Sequence, residues 1–176
     1  MRLLIILLIP LIVSMLLSSI APYDFREDAL KMRSEYANKV AKEKKLSVSG
    51  SGQGYSDAVE ELIISFDSKT LLTLPEARKL YVEIVEGFIQ KVNSNKNIRP
   101  FLLEYPFTAD NASIKLSFID KNHPKGCTFS PYITYISVVN GEVDYSIYDM
   151  ETEMLDTLHS EPYKVALEIV KSEGNK

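Results

Sequence analysis

Tryptophan is absent from this chain, and cysteine occurs once, as Cys127. A single thiol excludes an intramolecular disulfide framework and any zinc site built from several thiolates. Histidine is almost as scarce, with only His123 and His159. They form neither an H-x-x-x-H nor an H-E-x-x-H pair, so the chain spells out no metal-ligand set, and no metal or cofactor is expected. A basic excess is missing too. Its 176 residues carry 20 Lys and Arg against 24 Asp and Glu, a net charge of -4. Setting aside residues 1–21, whose one charge is Arg2, leaves 19 against 24. A phosphate-binding surface needs the opposite balance, so nucleic acid is not an expected partner. There is no internal repeat.

Long apolar runs are confined to the start. Residues 1–21, MRLLIILLIPLIVSMLLSSIA, place one Arg before a greasy core and small residues after it. This is the layout of a secretory signal peptide. Ser19 and Ala21 fit the small-x-small rule for cleavage, but Pro22 directly after Ala21 disfavours it. With no cysteine after the run, a lipoprotein anchor is excluded. Left uncut, residues 3–21 are long enough to act as an N-terminal membrane anchor; a buried core helix is the third reading. Downstream, Arg26, Lys31, Arg33 and Lys39 outnumber Arg2, which favours the opposite topology by the charge rule. The layout still argues for export to a periplasm, a cell envelope or the medium.

The rest divides by pattern. Residues 22–45 form an amphipathic helix, with Phe25, Ala29, Met32, Tyr36 and Val40 at helical spacing and mixed charges elsewhere. It packs on the domain, serves as a spacer, or docks on a partner or membrane surface. Residues 46–58 are Gly/Ser-rich. Gly50, Gly52 and Gly54 lack a following G-K-S/T and the G-x-G-x-x-G spacing, so a loop or hairpin is expected, not a phosphate cradle.

Residues 59–172 read as an α+β domain organised around one helix at about 74–92. Thr73 and Glu76 stand three apart as in a capping box, with Pro75 in the first turn. Leu74, Ala77, Leu80, Tyr81, Ile84, Val85, Phe88 and Val92 then make one wide apolar face. Strands are expected at residues 59–66, 113–120, 132–139, 142–148 and 154–158. Asn140-Gly141 signals a tight hairpin. A closing helix at 162–172 has Ser160 as its expected cap. Short loops between consecutive strands imply an antiparallel β-meander of four to five strands, with the central helix packed on one face.

Chemistry is sparse. His123 lies four residues before Cys127, yet no thiol-enzyme motif surrounds them, and an inert thiol is the expected reading. His159 and the late carboxylates Asp149, Glu151, Glu153, Asp156 and Glu161 are the remaining catalytic candidates; a solvated sheet edge is the plainer account of the acids. Tyr132, Tyr135, Tyr145 and Tyr148 make the candidate binding face for a protein or peptide, although cross-strand aromatic packing is the plainer account of them.

Three signatures stand out: the L-x-x-x-E-A-R-x-L helix start, the N-x-N-x-x-I-R-P turn and the Y-P-F-T-x-x-N run. With the preceding SGSGQG and ISFDS, these resemble a family of signal-bearing, exported proteins of chlamydia-like bacteria. The resemblance implies a bacterial exported protein and carries no activity or site residue. The expected function is an exported or envelope-associated, non-enzymatic module that binds a protein or peptide. The alternatives are a hydrolase using His159 and the late carboxylates, and an anchored spacer.

Overall fold

The computed structural model describes residues 23–119, 131–139 and 141–174. The leader, His123, Cys127 and Asn140 lie outside them.

Helix α1, Phe25–Lys44, begins where the Asp24 side chain accepts from the Arg26 amide at 3.0 Å. It ends at Lys45, whose left-handed backbone (φ 57°) lets its amide bond back to Ala41. All five residues of the expected stripe are buried, and Arg33 is buried among them. The next residue opens strand β1, Leu46–Tyr55, which pairs antiparallel with β2, Val59–Ser68. The glycine-rich stretch is therefore itself a strand, the first arm of a hairpin whose turn is residues 56–58. Serine and glycine have little strand propensity; pairing along the apolar β2 supplies what they lack.

After the short β3, Leu72–Thr73, comes helix α2, Leu74–Ser94. The Glu76 carboxylate accepts from the Thr73 amide at 2.9 Å and from its hydroxyl at 2.6 Å. Ala77, Tyr81, Ile84, Val85, Phe88 and Val92 are buried as the spacing predicts; Leu74 and Leu80 are half-buried, and Arg78 joins the buried set. A 3-10 turn, Arg99–Phe101, leads to Phe107, which is buried. Asn93 clasps Phe107 by its backbone, donating to the carbonyl at 2.9 Å and accepting from the amide at 2.8 Å.

Strands β4, Ala112–Phe118, β5, Tyr132–Ile133, β6, Tyr135–Val139, β7, Glu142–Tyr148, and β8, Leu155–Pro162, follow, and helix α3, Tyr163–Glu173, closes the described chain. Six strands form one sheet in the order β1-β2-β4-β6-β7-β8; β3 and β5 make a two-stranded companion. The α+β class and the central helix on one face are as expected. The strand count is not: the described residues form eight, because the glycine-rich stretch and two short bridging strands add to the meander. Nor is the sheet wholly antiparallel. β2 and β4 run parallel, since α2 carries the chain back to the end it left. Short connections keep β6–β7 and β7–β8 antiparallel, and Gly141 at φ 79° supplies the left-handed residue of the first of these turns. The closing helix starts at Tyr163, after Pro162, and Ser160 does not cap it. Pairing of Pro162 with Glu142 holds Ser160 inside β8.

The core lies between the helices and one face of the sheet. Leu62, Ile64 and Phe66 of β2, Ile114, Leu116 and Phe118 of β4, and Ile84 and Phe88 of α2 are all excluded from solvent. Each such side chain contributes about 1.5–3 kcal/mol of transfer free energy.

Candidate functional site

Where the sequence pointed to His159, the structure shows a buried ion pair. Antiparallel register sets Tyr145 opposite His159 and Val143 opposite Glu161, all on the helix-covered face. Arg78, one turn into α2, reaches down to Glu161 through two bonds, Nε–Oε1 at 2.6 Å and Nη2–Oε2 at 3.2 Å. Both residues are buried. Burial alone would raise the Glu161 pKa, but the Arg78 hydrogen bonds, with Tyr145 and His159 beside it, outweigh that and hold it below the usual carboxylate value. His159 Nε2 stands 3.4 Å from Glu161 Oε2, and its ring lies 5.8 Å from that of Tyr145.

Acid-base chemistry at His159 would need a nucleophile or a bound substrate within reach. The nearby hydroxyl is that of Tyr145, whose pKa burial drives far upward. Glu161 is committed to Arg78. Of the late carboxylates, Glu161 is the one brought to His159; the others do not join it. Asp149 holds its own turn, accepting from the Glu151 amide at 2.7 Å and the Thr152 hydroxyl at 2.9 Å, while Glu151, Glu153 and Asp156 are exposed. Among the described residues no three His, Cys, Asp or Glu side chains gather as metal ligands. The candidates His123 and Cys127, read as an inert thiol beside a loop histidine, lie outside the described residues.

The four tyrosines do not make one face. Tyr145 is 0% exposed and packs inward over the Arg78 guanidinium, which removes it from any contact surface. Tyr132 pairs with Thr73 in the small sheet. Tyr135 sits between Ser117 and Ser146, and Tyr148 faces Leu155, both half-buried. Period-two alternation sends Tyr145 to the opposite side from Tyr148, so closeness in sequence is not a shared surface.

The less expected site is at the other end of the sheet. β1 is an edge strand of ten residues without a charge or a proline. From Gly50 to Gly54 its register with β2 is unbroken. The absent side chains of Gly50, Gly52 and Gly54 would meet Ser65, Ile63 and Glu61, on the face away from Leu62 and Ile64. Even-numbered residues of β2, from Leu62 to Ser68, turn their backbone groups to β4, so Glu61, Ile63 and Ser65 turn theirs to β1, where they face Gly54, Gly52 and Gly50. The groups directed outward are those of Ser51 and Gln53, and the Gly52 carbonyl also accepts from Arg33 Nη1. Among the described residues, no strand pairs with that outer margin.

Arg33 belongs to this edge. It is 3% exposed, and its Nη1 also meets the Gln53 side-chain oxygen. Its Nε and the hydroxyl of Tyr55, both buried, have no hydrogen-bond partner. Burial lowers the Arg33 pKa, and the nearby Tyr55 opposes that; burial raises the Tyr55 pKa. Arg26 stands at the outer end, its guanidinium 6.0 Å from the Tyr55 ring centre and bonded to the Ser56 carbonyl at 3.1 Å. One sequence signal was available for Arg33: it lies four residues from both Ala29 and Ala37, inside the buried stripe of α1.

A cavity of about 660 Å³ lies between α1 and α2, laced by Lys44–Glu83 at 2.5 Å and Lys91–Glu35 at 3.8 Å. Such pairs across a seam describe helix packing better than a ligand site.

Comparison with known protein families, with characterised proteins and with solved structures finds no match.

Proposed function

We propose that this chain is an exported, non-enzymatic module that binds an extended segment of a protein partner along the outer margin of β1. One observation carries the reading: a ten-residue edge strand with neither charge nor proline, its central five residues in unbroken register. Exposed edges are ordinarily protected by charges, prolines, bulges or inward-pointing acids. β8, the opposite edge, has Asp156, the inward Glu161, a register break and Pro162. β1 has neither charge nor proline; register shifts bound its regular stretch, Gly50 to Gly54, in which Ser51 and Gln53 present their backbone groups outward. Strand addition draws its affinity from main-chain hydrogen bonds at such a margin.

The occupant is a different chain, not a second copy. Glycine set against glycine buries little, whereas a strand bearing aromatic or β-branched residues fills the space that Gly50, Gly52 and Gly54 leave open. Export rests on residues 1–21 and their signal-like layout. The test is selection of displayed peptides, large apolar residues at alternate positions, on the full chain. Amide exchange is then followed at Ser51 and Gln53, whose amides face the open margin. Binding should slow exchange there and be abolished by Ser49→Lys with Ser51→Lys. Protection confined to β8, or no selected peptide at all, would sink the reading.

A further inference from the structure

A buried guanidinium ordinarily has a carboxylate beside it, because an uncompensated charge away from water is costly. Arg33 has none among the described residues: its bonds go to a carbonyl and a neutral amide, and Tyr55 is the group that acts on its charge. Two buried donors, Arg33 Nε and the Tyr55 hydroxyl, are left without acceptors, and the two side chains are near enough to act on each other's charge. Arg26 adds a second cation, with Asp24 3.8 Å away as an exposed and distant counter-ion. A cluster with this charge and these unmet donors calls for oxygen acceptors carrying negative charge.

We propose that Arg33 and Tyr55, with Arg26 at the rim, form a recess for a carboxylate, supplied by an Asp or Glu side chain of the strand docked on β1. This rests on β1 being the docking edge. Strand geometry fits the two together. Gly50, Gly52 and Gly54 face the side without helices, so Ser51 and Gln53 face α1, where Gln53 meets Arg33. A strand laid along β1 alternates in the same way. Its large apolar residues fall over the glycines, and the residues between them are directed toward Arg33. The partner segment therefore alternates bulky and polar positions, with an acid at one polar position. One carboxylate oxygen accepts from Arg33 Nε and the other from the Tyr55 hydroxyl.

The test uses the full chain, nitrogen-labelled, with the Arg33 Nε–H and the outward-facing Gln53 amide followed by NMR. Three probes are added: sodium acetate, the acetylated and amidated peptide Tyr-Thr-Val-Glu-Val-Thr-Tyr, and its Gln counterpart. The Glu peptide should bind about tenfold more tightly than the Gln peptide, the range of one charge-assisted hydrogen bond. It should shift the Arg33 Nε–H, and acetate should compete for that shift. Tyr55→Phe, which keeps the ring, should cut the preference to about threefold or less. Arg33→Met should erase it; if that variant does not fold, Tyr55→Phe carries the test. Equal affinity for both peptides, with the Gln53 amide protected by each, overturns the recess and leaves the docking edge standing. An acetate shift with neither peptide bound overturns the docking reading and keeps an anion site. No response to any probe means that water satisfies Arg33, and the proposal fails.

Discussion

Arg78 and Glu161 show what one pair of residues does for this sheet. Neither charge is tolerable alone beneath α2, and their two hydrogen bonds make the pair a unit. Glu161→Gln should cost about 3 kcal/mol in urea unfolding, because Arg78 stays behind unpaired. Replacing both by Leu should cost less than either single change, which a double-mutant cycle would register. The pH dependence has a definite sign. Glu161 has a pKa depressed below its ordinary value of 4.5, so the folded state binds fewer protons there than the unfolded state. Its contribution is complete above that ordinary value and is lost as pH falls through the lower folded value. The stability gap between the native chain and Glu161→Gln should therefore shrink on acidification. A gap that widened there would contradict the pairing. None of this was legible beforehand: a Glu in a carboxylate-rich stretch reads as solvated, and only register with Val143 turns it inward.

At the scale of elements, α1 and α2 meet through a notch. A β-carbon added at Gly87 would stand 2.8 Å from the Tyr36 hydroxyl, which donates to the Ile84 carbonyl at 2.6 Å. Gly87→Ala gains up to about 1 kcal/mol in helix propensity. The displaced Tyr36 hydroxyl should reverse the sign, leaving a net loss in denaturant titration. With Tyr36→Phe the obstacle is gone, and the same alanine should then stabilise. Both helices were readable because an apolar stripe at helical spacing needs no knowledge of its partner. β1 was not, because serine and glycine carry no strand signal of their own; that element exists through its neighbour, β2. Thus the sequence yielded the helix that roofs the sheet but concealed the margin now assigned to binding. Arg33 was hidden by the same habit of reading, which takes a charge on an amphipathic helix as solvated.

For the whole molecule, the two margins of the sheet differ in kind. β8 carries exposed Leu155 and Leu158 with Asp156 between them. Asp156→Val should turn that margin adhesive, seen as concentration-dependent growth in scattering mass, while the same chain with Ser51→Lys on β1 should not be rescued. Rescue by the β1 change would mean that the growth runs through the other margin. The fold class and the roofing helix follow from pattern, since antiparallel neighbours announce themselves by short turns. The parallel pair does not, because what joins β2 to β4 is a helix and a long loop, and their adjacency depends on three-dimensional closure. That closure has a temporal consequence. Leu62 finds its neighbour only when Ala112 has been delivered, so a nascent β1–β2 hairpin waits with both flanks bare. A chain threading outward from its amino end would pass through a vulnerable interval, brief or long according to how soon that distant segment emerges.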